Sequence, residues 1–220
     1  MKMAVLDANV LYPAPVRDYL LHLTEQSLYF PKWTDDIHDE WIRNLIRQRK
    51  DISIQSLLSA KHVMNDAFPD ANIIHYKHKI RDLDLPDRED RHVLAAAIIA
   101  NSQDIVTFNV RDFPAEKIER FGIRSTHPDI LIVELIQQHQ QKCFDALKSQ
   151  SSRLKHPPKG INDVLSILKK CGLSKSMERL TLFNQNKSSN VLNVELLRPK
   201  LKSVQLTSLT NLTTFNIVLH

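Results

Sequence analysis

The sequence predicts an α/β fold built on a parallel sheet, and three observations carry that prediction. Short apolar runs of the kind that fill a strand covered on both faces, Met3 to Leu6 foremost, alternate with longer stretches of helical periodicity. Alternation of this kind is how parallel strands joined by helical crossovers appear in sequence. One helical stretch, opened by Pro86-Asp87-Arg88-Glu89-Asp90 and ending near Ala100, is apolar nearly all round and so belongs at the centre of the molecule.

The first strand, Met3 to Leu6, is followed by a helix starting near Pro13-Ala14-Pro15, whose prolines suit a first turn and whose Val16, Tyr19, Leu20 and Leu23 share a face. Leu28 to Pro31 reads as a second strand. Thr34-Asp35-Asp36 then opens a helix with an apolar stripe of Ile37, Trp41 and Leu45. Glu40 falls beside that stripe, on the side of Asp36, Arg43, Asn44 and Arg47, so it faces a polar or cleft environment. A helix over Ser53 to Ala67 comes next, and then the central apolar one. Gln103 to Thr107 and Ile123 to Thr126 read as strands around a short helix over Ala115 to Arg120. Pro128 begins a long helix to about Leu147, and His156-Pro157-Pro158-Lys159-Gly160 breaks the chain. Two short helices, Ile161 to Lys170 and Met177 to Phe183, come after it. The expected organisation is one domain over 1–150, a helical extension over 151–184 and a polar tail over 185–220.

A chain of 220 residues with 42% hydrophobic content suits one core and a small appendage. The net charge of +5, from 30 Lys and Arg against 25 Asp and Glu, favours a polyanionic partner while remaining compatible with an ordinary basic protein. Two cysteines, Cys143 and Cys171, are too few for a disulfide framework and too far apart for a Cys-x-x-Cys pair, so a reducing, cytoplasmic setting is expected. No signal peptide or membrane-spanning stretch is expected. The chain has only three glycines, which argues against a phosphate-cradling loop, and the ten histidines show no zinc spacing. His75, His78 and His92 read as surface or core residues.

Four acids remain: Asp7 after the first strand, Glu40, Asp90 before Val93-Leu94-Ala95-Ala96-Ala97, and Asp112 after Thr107-Phe108-Asn109. Three sit where a strand ends or a helix begins, the edge at which open α/β sheets build sites. Each has an ordinary account by itself. Asp7 suits a cap, Glu40 an ion pair with Arg43, and Asp112 a turn. Asp87 reads as the N-cap of the central helix, supporting the site from there. As a set, the acids supply the oxygen ligands that a hard divalent cation prefers, with Asn9 placed to orient Asp7. Arg43 and Arg47, with Arg49, Lys50 and the later group Lys142, Lys148, Arg153, Lys155, Lys159, Lys169 and Lys170, read as solvated helix faces or as a rim tracking phosphates.

Leu6-Asp7-Ala8-Asn9-Val10-Leu11, the helical Glu40, Pro86 to Ala97 and Val106 to Pro114 together resemble the PIN domain, nearest the branch holding VapC-type toxins of bacterial toxin–antitoxin pairs. The resemblance covers about residues 1–150, and Ser125-Thr126-His127-Pro128-Asp129 with the Pro157-Pro158 break resembles a longer subgroup. It implies a three-layer PIN-like sandwich with a central parallel sheet flanked by helices. It also implies an endoribonuclease dependent on Mg²⁺ or Mn²⁺, with Asp7, Glu40, Asp90 and Asp112 as catalytic and metal-holding acids. Asn109 and Thr107 would support them, Arg43, Arg47 and Arg111 would meet RNA, and metal-activated water would hydrolyse the phosphodiester. A small antitoxin is the partner implied, and a homodimer is compatible. A PIN-like RNA-binding or RNA-processing module without catalysis is the alternative. A flap-processing DNA nuclease would carry insertions not seen here, and a phospho-receiver domain needs an acidic pair that Asp7-Ala8-Asn9 does not supply.

Overall fold

The computed structural model describes residues 2–187. Four strands, β1 (Met3–Leu6), β2 (Phe30–Lys32), β3 (Asp104–Val106) and β4 (Arg124–Thr126), pair in the order β2-β1-β3-β4, every pair parallel. Parallel neighbours cannot be joined by hairpins, so each connection runs through helices. Between β1 and β2 lie α1 (Ala8–Leu11) and α2 (Ala14–Glu25). Between β2 and β3 lie α3 (Asp35–Gln48), α4 (Ile54–Ala67) and α5 (Arg91–Ile99). Between β3 and β4 lies α6 (Ala115–Ile118), and β4 leads into α7 (Pro128–Arg153) and α8 (Ile161–Lys170). Ala4, Val5, Leu6, Ile105 and Val106 have no exposed surface, as strands flanked by helices on both faces require. The architecture is the three-layer α/β sandwich.

The chain leaves β1 toward β2 on one side and later returns to add β3 and β4 on the other. The connections therefore diverge at the carboxyl ends of β1 and β3, the place where open α/β sheets form a crevice. Opposite that crevice, buried Asp104 begins β3 and accepts from Arg124 Nε at 2.6 Å and Thr126 Oγ1 at 2.5 Å, while Lys2 Nζ stands 2.9 Å away. Arg124 and Lys2 also reach Glu134 of α7, at 2.6 and 3.1 Å. The amino ends of β3 and β4 and the chain before β1 are thus tied to α7 by charge.

Several expectations shift in detail. The second strand is Phe30–Lys32 rather than Leu28 to Pro31, because Ser27 takes a left-handed turn (φ 55°) and Phe30 is the residue that registers with Met3. Asp87 is not the N-cap of α5. It closes a turn by accepting from the Glu89 amide at 2.8 Å, and the cap position falls to Asp90, whose side chain makes no cap bond. The long helix continues past Leu147 to Arg153, bending at His139 (φ −143°, ψ 49°). A 3₁₀ segment, Lys77–Asp82, and the four-residue α1 carry too little periodicity to be seen in sequence. By packing, the chain divides into Met1–Arg179 and Leu180–His220. Of the second unit only residues 180–187 are described, and they are helical; most of the tail expected over 185–220 lies outside the described residues. No described helix is long and apolar enough to cross a membrane.

α3 carries Glu40, and its placement has local causes. Thr34 caps it by accepting from the Ile37 amide at 3.1 Å, with Asp35 and Asp36 in the first turn favoured by the helix dipole. Arg17 of α2 stacks over the Trp41 ring at 4.8 Å and donates to the Leu11 carbonyl at 3.0 Å, which ties α3 to the end of α1. Thr34→Ala removes a fully buried cap, and urea unfolding should show a loss of about 1 kcal/mol. An unchanged midpoint would mean that Asp35 and Asp36 set the helix start without it.

Candidate active site

Asp7 comes directly after the last residue of β1 and is 4% exposed. A buried carboxylate needs donors, and this one has three. The Ala8 amide donates to Oδ1 at 2.7 Å, and Asn9 Nδ2 and the Thr107 hydroxyl each donate to Oδ2 at 2.7 Å. Asn9 Nδ2 also donates to Thr107 Oγ1 at 2.9 Å, while Asn9 Oδ1 accepts from the Phe108 amide at 3.0 Å. The exits of β1 and β3 are thereby laced together across the crevice. Burial raises the Asp7 carboxyl, the Thr107 hydroxyl draws it down and the Glu40 charge raises it again, leaving it at about 6.

Asp90 stands at the start of α5, where no basic group is among the causes that set its carboxyl. Burial, followed by the charges of Asp7, Asp112, Asp87 and Glu40, pushes its carboxyl up to about 7. Its Oδ2 is buried without a hydrogen-bond partner. That set of causes brings the sequence-selected acids within electrostatic reach of one another, although they come from β1, α3, the start of α5 and the loop after β3. Glu40 lies 3.3 Å from His92 Nε2, and Asn109 Nδ2 donates to Asp112.

His92 is the residue that sequence reading placed elsewhere. It sits two positions after Asp90 in the first turn of α5, with Nε2 on Glu40 and a buried, unpartnered Nδ1, as a bridge from α5 to α3. Its proximity to Asp90 in sequence was the one local signal, but nothing linear indicates that Glu40 would face it. Among the basic residues, Arg43, Arg47 and Arg111 are exposed. Arg49 is paired with Asp51, Lys148 with Asp145, Arg153 with Glu25 and Lys169 with Glu178, so these four belong to solvated ion pairs.

The donor set is all oxygen and carries excess negative charge, which suits a hard cation. Among the described residues, no group of three or more His, Cys, Asp or Glu is close enough to form a ready cage. One or two carboxylates with waters are the usual holding for Mg²⁺, so Asp7 and Asp90 could hold such an ion, with Glu40 and Asp112 reaching it through water. Asp90 Oδ2, aimed at no donor of the protein, is the observation that fits a cation there.

The family comparison falls on the other end of the chain. A family model described as VapC50 C-terminal domain matches residues 128–182. A stretch of 53 residues is 34% identical to the Mycobacterium tuberculosis (strain ATCC 25618 / H37Rv) protein named "Putative ribonuclease VapC50", covering 24% of this chain and 31% of that relative's length. No solved structure matches. The family match begins after β4, so the parallel sheet and its acidic edge lie outside it.

The folded protein holds the Asp90 proton up to about pH 7, whereas an unperturbed carboxyl releases it near 3.8. Stability present below the lower value is therefore lost as pH rises through the upper one. In EDTA, Asp90→Asn should melt higher than wild type at pH 8, by on the order of 1 kcal/mol once solvent screening of the half-exposed group is allowed for. The difference should vanish near pH 3. A lower melting point at pH 8 would mean that the Asp90 charge is compensated after all.

Proposed function

We propose that this VapC-like PIN-domain chain is a metal-dependent endoribonuclease and the toxin of a toxin–antitoxin pair. The observation that carries the reading is Asp90: a carboxylate with a buried, unpartnered oxygen, pushed up by Asp7, Asp112, Asp87 and Glu40 at the crevice between β1 and β3. A group left so poorly compensated is explained by a ligand of opposite charge. The family match and the relative's name give the ribonuclease direction.

In this reading Asp7 and Asp90 would hold Mg²⁺ or Mn²⁺, with Glu40 and Asp112 reaching it through water. The ion when bound supplies Lewis-acid stabilisation of the phosphate and activates water for hydrolysis. Asn9 and Thr107 fix which oxygens of Asp7 remain available, and His92 orients Glu40. Asn109 steadies Asp112, and Asp87 adds negative charge beside Asp90. Arg43 and Arg47, on the same helix as Glu40, and Arg111, next to Asp112, are placed to take RNA phosphates without reading bases. A small antitoxin covering the cleft, a cytoplasmic setting and a homodimer fit the same reading. So does a division into a nuclease domain over 1–150 and an extension over 151–184.

A second reading, an RNA-binding or RNA-processing module without catalysis, is favoured by the lack of a ready three-ligand cage among the described residues. Purified wild type and Asp7→Asn, each incubated with cellular RNA in Mg²⁺, Mn²⁺ or EDTA, separate the two. Metal-dependent cleavage leaving 5′ phosphates should fall by at least about 100-fold in the mutant, since even outer partners of such sites cost about 10–100-fold. No cleavage by folded, RNA-binding wild type would favour the module. The Arg43→Ala and Arg47→Ala variants should each lower the salt slope of RNA binding by roughly 0.7, as lost phosphate contacts do for single strands. An unchanged slope would remove those arginines from the interface.

A further inference from the structure

The C-terminal segment 128–182 is matched as a unit of its own, yet its Gly172 meets Phe108 in the loop leaving β3. Asp129, in the first turn of α7 and 5% exposed, accepts from the Ser176 hydroxyl at 2.6 Å and from the Ser176 and Lys175 amides at 2.9 and 3.0 Å. Three donors on one buried carboxylate fasten the chain just beyond α8 to the start of α7. Three residues before Lys175, in the turn that ends α8, Gly172 takes φ +95°, and a Cβ on it would lie 3.2 Å from Phe108 Cε1, so the ring is seated against glycine backbone. The same ring meets His127 edge to face at 5.1 Å. Phe108 is next to Thr107, and its amide donates to Asn9 Oδ1, the other end of the amide that holds Asp7.

We propose that Phe108 is a positioning residue for Asp7, and that the C-terminal extension is the clamp that seats it through Asp129, Ser176 and Gly172. A displaced ring shifts its own amide, the amide releases Asn9, and Asn9 no longer fixes the Asp7 carboxylate. The extension is thus a working part of the acidic edge and not only a cover for α7. The consequence for turnover rests on the nuclease reading, whereas the consequence for Asn9 does not.

The test uses the full chain with Phe108→Ala, Asp129→Ala and, as a control, Leu165→Ala, which opens a cavity in α8. Two readouts are measured in samples that still melt cooperatively: the Asn9 side-chain amide by NMR, and kcat and KM on RNA. Phe108→Ala and Asp129→Ala should move the Asn9 amide resonances and speed their exchange. They should also lower kcat by about tenfold or more, within the 10–100-fold scale of outer partners, with KM unchanged. Phe108→Tyr, which keeps the ring, should retain wild-type values, and Leu165→Ala should lose melting temperature alone. If Asp129→Ala does not fold, Ser176→Ala removes one of the three bonds and should give the same shift in smaller size. An unmoved Asn9 amide in Phe108→Ala and in the Asp129 or Ser176 variant overturns the clamp. A wild type that cuts no RNA, together with a responsive Asn9, upholds the clamp and sinks the nuclease reading instead.

Discussion

Burying a carboxylate where a strand ends leaves it in need of donors, and Asp7 finds them on both sides of the gap between β1 and β3. Ala8 and Asn9 come from its own side, Thr107 from the other. The bonds that satisfy the acid therefore also fix the separation of the two central strands at the point where the chain connections part. The remaining acids are placed relative to this lacing. α5 packs against β1 and β3 and delivers Asp90, and α3, tied to α1 through Arg17 and Trp41, delivers Glu40. The loop after β3 delivers Asp112.

Two buried or half-buried aspartates at opposite ends of the sheet show what the fold tolerates and where. Asp104 has no exposed surface and is met by the cations Arg124 and Lys2 and by the Thr126 hydroxyl, the pairing that a buried charge requires. Asp90 is met chiefly by other acids. A chain selected only for stability would have no reason to treat the two differently, and departures from local consistency concentrate at functional sites. That contrast lies within one protein and does not depend on any relative.

Much of this arrangement was legible in the sequence because its signals are local. The apolar run of β1 and the Thr34 cap each mark an element within a few residues. Asp7 with Asn9 could be paired on paper because two residues separate them. What could not be read depends on contacts between distant segments. His92 meets Glu40 only because α5 and α3 converge, and Asp87 loses the cap of α5 because its side chain is taken by the turn at Glu89. The strand shift at Phe30 results from pairing with Met3, which no window around residue 30 contains. Phe108, Asp129 and Gly172 carried no chemical signal, since a phenylalanine after a strand and a glycine after a helix are ordinary until the fold sets them face to face.

The charge network around Asp104 has a bearing on how the sheet responds to its medium. Arg124, Lys2 and Glu134 are partly open to solvent, with side chains 48%, 30% and 30% exposed, so dissolved ions can screen their attraction. The same ions weaken the repulsion among Asp7, Glu40, Asp90 and Asp112. Ionic strength thus acts in opposite senses on the two ends of the same strands, loosening the amino ends of β3 and β4 while relaxing the carboxyl ends of β1 and β3. The melting temperature can then stay nearly level across salt while the place where the sheet first opens moves from the acidic edge to the far one.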